Sequence, residues 1–203
     1  MCDSTNQKVY VIDDDDAIRD ALSMLLDSQG IANSAFATGD EFLRDYDGHE
    51  KGCLVLDIRM PGLSGLDIQV ELKKRQSVLP VIFITGHGDL PMAVEAMRQG
   101  AIDFVRKPFD EDNLISRIQE AFQLESGERS KIERKEDIQR KLDSLTAREH
   151  EVLKQVCTGE TSKVIGTILG ISERTVEVHR SSIMKKMGTG TLAQLVRTCI
   201  SME

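Results

Sequence analysis

Reactive polar residues follow short apolar runs at four points in the first half of the chain. Runs rich in Val, Ile and Leu that are separated by helical patterns favour a parallel sheet, and ligands bind to such sheets outside the carboxyl ends of the strands. We therefore expect the polar groups to meet at one edge of the sheet. In chain order they are Asp13, Asp14, Asp57, Thr85 and Lys107.

These groups together suit the acceptance of a phosphoryl group, which needs an in-line nucleophile, a divalent cation and donors for the remaining charge. Asp57 is the expected nucleophile, while Asp13 and Asp14 offer the carboxylate oxygens that Mg²⁺ or Mn²⁺ prefers. Lys107 would place an ammonium beside Asp57 or the phosphoryl oxygens, and Thr85 could donate a hydrogen bond to the bound phosphoryl group. Singly, each residue could be an ordinary loop or capping residue. The ordered set is far more specific.

Five alternating strand and helix patterns, which extend to about residue 125, must position these groups. They predict an α/β doubly wound, five-stranded parallel sheet of the flavodoxin-like kind. We expect strands near 8–12, 32–36, 53–57, 80–84 and 102–105, and helices near 16–29, 38–46, 64–75, 90–98 and 111–124.

Charge divides the 203 residues unevenly. Residues 1–125 contain 12 Lys/Arg and 23 Asp/Glu, residues 126–143 contain 6 and 5, and residues 144–203 contain 8 and 6. The net charge of −8 therefore does not exclude nucleic-acid binding by the mildly basic end. We predict a phosphoacceptor domain in residues 1–125, a linker helix in residues 126–143 and a separate domain in residues 144–203.

The predicted linker helix is densely charged, with both signs mixed. Ile138, Leu142 and Leu145 recur at helical spacing within and just after it, which favours a solvated helix. A flexible charged tether or a partner-binding coiled coil are the alternatives, although this apolar stripe is short for a coiled coil.

The last sixty residues show the pattern of four short helices joined by Gly-containing turns. Thr146 and Glu149 stand at capping-box spacing and begin the first helix, which Gly159 ends. Two further helical stretches, 162–169 and 172–187, are separated by a tight turn, and a fourth helix spans about 191–201. This order predicts an all-α, four-helix domain with a helix-turn-helix unit.

The cysteines do not indicate a zinc site, and the apolar runs do not indicate a membrane span. The four cysteines show no metal-ligand spacing, so we expect reduced thiols and no zinc site. The N-terminus lacks the pattern of a signal peptide, and no apolar run approaches the roughly 20 residues that span a bilayer. We expect a soluble, cytoplasmic protein. The cysteines are Cys2, Cys53, Cys157 and Cys199.

The segments VYVIDDDDAIR, LVLDIRMPGLSGLD, VIFITGHGD and DFVRKPF resemble the receiver domain of bacterial two-component response regulators. The resemblance implies that Asp57 accepts a phosphoryl group from a sensor histidine kinase. It also implies that the backbone carbonyl of Arg59 joins Asp13, Asp14 and Asp57 in holding Mg²⁺.

The resemblance further implies a switch pair, Thr85 and Phe104. In that family the threonine hydroxyl moves inward on phosphorylation, vacates room for the aromatic ring and shifts the nearby surface. An ordinary core role for Phe104 stays open on its spacing alone. The resemblance also suggests a cis Lys107–Pro108 peptide bond, and we hypothesise that Arg59 and His87 tune the lifetime of the phosphoryl group.

The motifs LTAREHEVL and ISERTVEVHRSSIMKKM resemble the LuxR-type DNA-binding domain, and the whole chain resembles the FixJ-type response regulators. The stretch 173–187 is then expected to lie in the major groove of double-stranded promoter DNA. Expected base contacts are Glu177, Val178 and Ser181. Expected phosphate contacts are Arg174, Thr175, Arg180 and Lys185, with Thr161 and Lys163 from the preceding helix.

Several positions in this domain have two interpretations. His179 could be a core residue or a phosphate contact, whereas Val176, Ile183 and Met187 have the spacing of a core face. Gly166 replaces a common alanine of the family, and Val164 a polar residue. The apolar stripe of the last helix could pair two domains on DNA or pack internally.

The resemblance implies a phosphorylation-controlled transcription regulator, and it leans toward activation through RNA polymerase. Phosphorylation could act by forming a homodimer, by releasing an inhibitory contact between the domains, or by both. A phosphatase of the aspartyl-phosphate type would also use an Asp nucleophile and Mg²⁺. Such enzymes have an acid two residues after the nucleophile, where this chain has Arg59. An adaptor whose tail binds protein would lack salt-dependent duplex binding. We therefore expect a regulator that is not an enzyme.

Overall fold

The computed structural model describes residues 7–86 and 90–200, apart from the side chains of Leu90 and Ile200. His87, for which the sequence suggests a role in phosphoryl lifetime, lies outside the described residues. The chain divides into two compact units, Met1–Arg129 and Ser130–Glu203. Each unit has its own hydrophobic core.

The first unit contains the predicted five-stranded parallel sheet, with strand order β2-β1-β3-β4-β5. Every strand lies within one residue of its predicted position at each end. The central strand β3 is buried along its whole length, as expected of a strand covered on both faces. The strands are β1 (Lys8–Ile12), β2 (Asn33–Phe36), β3 (Gly52–Asp57), β4 (Val81–Thr85) and β5 (Asp103–Arg106).

Helices cover both faces of the sheet. One apolar cluster joins the strands to α1 and α5 through residues such as Leu22 and Leu114. A second cluster joins them to α2, α3 and α4 through residues such as Phe42, Ile68 and Ala96. The helices are α1 (Asp16–Ser28), α2 (Gly39–Asp45), α3 (Gly65–Lys74), α4 (Leu90–Arg98) and α5 (Glu111–Asp143).

The continuity of α5 differs from the sequence prediction, which placed a helix near 111–124 and a separate linker helix after it. Strong helix formers dominate this stretch, and Gly127 alone costs about 1 kcal/mol relative to alanine, so nothing ends the helix there. The division between the two units falls within α5, after Arg129. A flexible tether is therefore wrong for this segment.

The second unit consists of the end of α5 and four short helices, as predicted. Ile138 and Leu145 are buried in its core together with Val176, Ile183 and Met187. The helices are α6 (Ala147–Cys157), α7 (Ser162–Leu169), α8 (Glu173–Met187) and α9 (Leu192–Ile200).

The apolar stripe of α9 packs inside its own unit. Leu195 is fully buried, and Leu192, Val196 and Cys199 pack against the same core. Part of the stripe is therefore internal, whereas the pairing of two domains through α9 stays a prediction.

Candidate functional site

Three carboxylates meet at the carboxyl edge of the sheet. Asp13 and Asp14 directly follow β1, and Asp57 is the last residue of β3. One oxygen from each carboxylate lies within 4.8 Å of the other two. Asp13 is fully buried, Asp57 is nearly so, and Asp14 is exposed. The sheet thus brings together acids that are 43 residues apart in the chain.

The strand register explains this meeting. Because Ile12 pairs with Leu56, the next residues along both strands, Asp13 and Asp57, end at the same level. Gly65, at the start of α3, lies so close that an added Cβ would be 2.4 Å from the Asp57 carbonyl oxygen. A larger residue at this position would therefore displace the end of β3.

Lys107 is the cation of the site. Its Nζ lies 2.7 Å from Asp13 Oδ2 and 3.6 Å from Asp57 Oδ2, so one ammonium bridges two carboxylates. Its backbone N–H donates to the carbonyl of Thr85 at 2.8 Å, which fixes the start of this loop against β4. The peptide bond to Pro108 is cis, as the family resemblance implies.

The environment of Asp57 disfavours its charge. Burial, opposed by Lys107 and reinforced by Asp13, raises the pKa of Asp57 from 3.8 to about 6. Lys107 alone therefore does not balance the acids gathered around it. A carboxylate cluster with this imbalance is stabilised by a further positive charge.

The donor set fits a hard divalent cation. All three side chains offer carboxylate oxygens, which suit Mg²⁺ or Mn²⁺, and the exposed Asp14 leaves one side accessible to water ligands. Arg59, whose carbonyl is a fourth expected ligand, is exposed two residues beyond Asp57.

The expected switch residues lie on the neighbouring strands β4 and β5, Thr85 as the last residue of β4 and Phe104 as the second residue of β5. Thr85 is buried, and its Oγ1 donates to the carbonyl oxygen of Gly86 at 3.4 Å. Phe104 is 36% exposed, which makes the ordinary core interpretation wrong. Because Phe83 pairs with Phe104, Thr85 lies two residues farther along the adjacent strand.

The expected DNA contacts are mainly exposed residues of α8 and of the start of α7. Arg180 is the exception, because it is partly buried and donates from Nη1 to Ser162 Oγ at 2.8 Å. Thr161 is the N-cap of α7, and its hydroxyl accepts from the Val164 N–H. The exposed residues are Thr161, Lys163, Arg174, Thr175, Glu177, Val178, Ser181 and Lys185, while His179 is partly exposed.

An ion pair between the buried Glu149 and the partly buried Lys186 was not predicted. Glu149 Oε2 accepts from Lys186 Nζ at 2.7 Å, and Oε1 accepts from Ser182 Oγ at 2.6 Å. The hydrogen bonds from Lys186, Ser182 and the Thr146 N–H lower the pKa of Glu149 to about 2. The capping-box spacing identified Glu149, but its contacts to α8 depend on tertiary packing.

Gly166, the departure from the family pattern, lies against the turn before α8. A Cβ there would be 2.7 Å from the carbonyl oxygen of Ile171. The turn therefore approaches α7 more closely than an alanine would allow without a shift.

Among the described residues, none of the helices has the length and apolar character that a membrane span requires.

Comparison with known families matches residues 9–119 to the response regulator receiver domain and residues 143–199 to the luxR family of bacterial regulatory proteins. These matches confirm the resemblance to a receiver domain and a LuxR-type domain, and the predicted fold class is also confirmed.

Individual relatives match along nearly the whole chain. The response regulator protein TodT of Pseudomonas putida is 44% identical over 189 residues, which cover 93% of this chain and 83% of TodT. The transcriptional regulatory protein FixJ of Bradyrhizobium diazoefficiens is 43% identical over 195 residues, covering 96% and 95%. The solved structure of the response regulator StyR is 41% identical, has a TM-score of 0.90 and covers 97% and 99%. The chain therefore belongs to the response regulators that join a receiver domain to a LuxR-type DNA-binding domain.

Proposed function

We propose that this regulator accepts a phosphoryl group on Asp57 from a sensor histidine kinase and thereby controls its binding to promoter DNA. The observation that supports this most directly is the bridge from Lys107 to Asp13 and Asp57 within a cluster of three carboxylates. Such a cluster, at the carboxyl edge of a parallel sheet, supplies a nucleophile and oxygen ligands in one place.

In the proposed transfer, an oxygen of the Asp57 carboxylate attacks the phosphorus of a phosphohistidine. The new O–P bond forms as the P–N bond breaks, and the imidazole of the kinase leaves with the bonding electron pair. Lys107 neutralises charge on the phosphoryl oxygens. A Mg²⁺ or Mn²⁺ ion held by Asp13, Asp14, Asp57 and the Arg59 carbonyl would shield the charges that otherwise repel the incoming group.

The proposed switch uses Thr85 and Phe104. The bond from Thr85 Oγ1 to the Gly86 carbonyl and the partial exposure of Phe104 support assigning this arrangement to the unphosphorylated state. A phosphoryl group on Asp57 offers oxygen acceptors that compete for the Thr85 hydroxyl. The inward movement of that hydroxyl would make room for the Phe104 ring.

For DNA binding we propose that α8 lies in the major groove. Its exposed Glu177, Val178 and Ser181 are suited to contact base edges. The phosphate contacts are assigned to exposed residues around them and to Arg180, whose guanidinium would exchange its bond to Ser162 for a phosphate oxygen.

In this proposal residues 1–125 are the receiver, residues 126–143 are the connecting helix and residues 144–203 bind DNA. Phosphorylation favours a homodimer, which adds the phosphate contacts of a second domain and so strengthens DNA binding. RNA polymerase is the proposed partner at the promoter, with activation as the outcome. We propose that the protein acts in the cytoplasm.

The test uses the full chain, Mg²⁺ and radiolabelled acetyl phosphate. We expect the wild type to incorporate label and Asp57→Asn to incorporate none. Binding to duplexes that the phosphorylated protein selects from a randomised library is then measured at fixed salt. Phosphorylation should tighten binding by the wild type alone; equal binding by phosphorylated wild type and Asp57→Asn would refute the control of DNA binding through Asp57.

A further inference from the structure

Among the described side chains of α4, few apolar ones are buried against the rest of the unit. Of these side chains, Ala93 and Ala96 are fully buried, and Met92 is partly buried. Val94 and Met97 are 44% and 41% exposed. Because burial free energy scales with apolar area, two alanine methyl groups hold a helix far less firmly than leucine or isoleucine side chains would.

The C-terminal end of α4 is held by polar contacts instead. The N–H of Ala101 donates to the carbonyl of Ala96 at 3.0 Å, and the N–H of Gly100 donates to the carbonyl of Met97 at 3.1 Å. Gly100 has a φ of 99°, so this is a glycine-based helix end. The Ala96 carbonyl also accepts from Gln69 Nε2 of α3 at 3.2 Å.

Gln69 is an unusual residue for this place. It is only 6% exposed, and its Oε1 atom is buried without a hydrogen-bond partner among the described atoms. An unpaired buried amide oxygen is costly, whereas an apolar side chain of similar size would avoid that cost. The favourable contact that the amide makes here is its bond to the end of α4.

We propose that Gln69 is a positioning residue that restrains the C-terminal end of α4 in the unphosphorylated arrangement. This inference rests on the proposed function of Asp57. Thr85 is the last residue of β4 and α4 is the next element of the chain, so a movement of Thr85 would reach α4 through its N-terminal end. The bond from Gln69 acts on the opposite end and opposes displacement of the helix.

The restraint sets how readily the receiver switches. A bond present in one of two states and absent from the other shifts their equilibrium by its own net free energy. A net hydrogen bond of ordinary strength corresponds to a shift of roughly 3- to 10-fold. Removing the Gln69 donor therefore favours the switched state by that factor. It also tightens the binding of any phosphoryl analogue that binds preferentially to the switched state.

The experiment titrates full-length protein with beryllofluoride in the presence of Mg²⁺. Bound beryllofluoride is followed by fluorine-19 NMR, the dimer fraction by sedimentation, and the free energy of unfolding by urea titration. Gln69→Met keeps the approximate volume but cannot donate. We expect its beryllofluoride midpoint to fall roughly 3- to 10-fold and its dimer fraction without beryllofluoride to rise.

The matched control is Gln99→Met. Gln99, which directly follows α4, also has a buried, unpartnered amide oxygen, but its Nε2 donates to Glu95 Oε1 of the same helix at 2.9 Å and not to another element. Its midpoint should equal that of the wild type. Gln69→Asn, which keeps the amide but is one methylene shorter, replaces Gln69→Met if the latter does not fold.

The outcomes separate the two proposals. A wild type that binds no beryllofluoride contradicts the function proposed for Asp57. A wild type that responds, together with a Gln69→Met midpoint that is unchanged, or shifted no more than that of Gln99→Met, overturns the role of Gln69 alone. A change confined to the free energy of unfolding has the same consequence, because a purely structural contact would alter stability without altering the switch.

Discussion

The two units of this protein each bury a carboxylate, and they treat it in opposite ways. In the receiver, burial raises the pKa of Asp57 to about 6, although Lys107 lies 3.6 Å away and opposes the shift. In the DNA-binding unit, hydrogen bonds from Lys186, Ser182 and Thr146 lower the pKa of Glu149 to about 2.

Desolvation is the largest influence on the pKa of Asp57, whereas hydrogen bonds from donors are the largest influences on the pKa of Glu149. Glu149 accepts hydrogen bonds from Thr146, which precedes α6, and from Ser182 and Lys186 of α8. Its charge is therefore compensated, and its role is to hold α6 against α8. Asp57 shares a single lysine with the more closely bonded Asp13 and remains ready for a cation or a phosphoryl group. Perturbed, incompletely paired acids are typical of reactive sites, and fully paired acids are typical of structural ones.

The largest expected effect comes from removing a carboxylate that pairs with Lys107. Asp13→Asn should weaken Mg²⁺ binding by about 100-fold, because a buried anion close to a divalent ion interacts with it strongly. Isothermal titration calorimetry would measure the change. The exposed Asp15, which caps α1, provides the control Asp15→Asn; an equal loss there would show that general acidity, and not this cluster, attracts the ion.

Glu149→Gln tests the structural carboxylate. Loss of its charge-assisted hydrogen bonds should lower the free energy of unfolding at pH 7 by about 2 kcal/mol. Since the folded pKa lies below the ordinary value of 4.5, the stabilisation is present above that pH and is lost as the pH falls toward 2. Urea titrations across this range should show the two proteins converging in acid; a constant difference would contradict the assignment.

In the absence of divalent ions, Asp57→Asn should change the free energy of unfolding in the opposite direction and increase it. Because the folded pKa of about 6 exceeds the ordinary 3.8, ionisation of Asp57 destabilises the folded protein as the pH rises through this window. The substitution should therefore raise the free energy of unfolding by about 1 kcal/mol above pH 6, after allowance for solvent screening, and by little below pH 4. Saturating Mg²⁺ should reverse the advantage, and a variant less stable than wild type in metal-free buffer at pH 8 would be evidence against it.

The smallest effects separate two adjacent lysines of α8. Lys186→Met should lower the free energy of unfolding by roughly 1 kcal/mol, since it leaves Glu149 with one donor fewer. Lys185→Met, at an exposed position, should leave stability unchanged but reduce the salt dependence of DNA binding by about one phosphate contact. Urea unfolding and duplex binding at several salt concentrations provide both readouts, and identical behaviour of the two variants would remove the distinction.

The sequence predicted the receiver fold well because β1, β3 and β4 are short, largely buried apolar runs, and clear helical patterns separate the strands. It predicted the core residues Val176, Ile183 and Met187 for the same reason, since periodicity reports which face is buried. It failed at the end of the receiver, where α5 continues through a charged stretch. Charge density distinguishes a solvated segment from a packed one, but it does not end a helix made of strong helix formers.

The role of single polar contacts was harder to predict. No motif indicates the contacts of Gln69 and Lys186, because their partners, Ala96 and Glu149, are distant in the chain and meet them only after packing. Arg180 shows the same limit: its type and position suggest a phosphate contact, yet in this structure its guanidinium bonds Ser162.

The order of strands and helices along the chain, the acids at the strand ends and the helix-turn-helix pattern could be predicted from the sequence, because they depend on local periodicity and residue type. The bridge from one lysine to Asp13 and Asp57, the partial exposure of Phe104 and the burial of Leu195 in α9 became visible in the folded protein. These features depend on distances between elements that are remote in the chain. Burial and charge pairing fix such distances when the elements pack together.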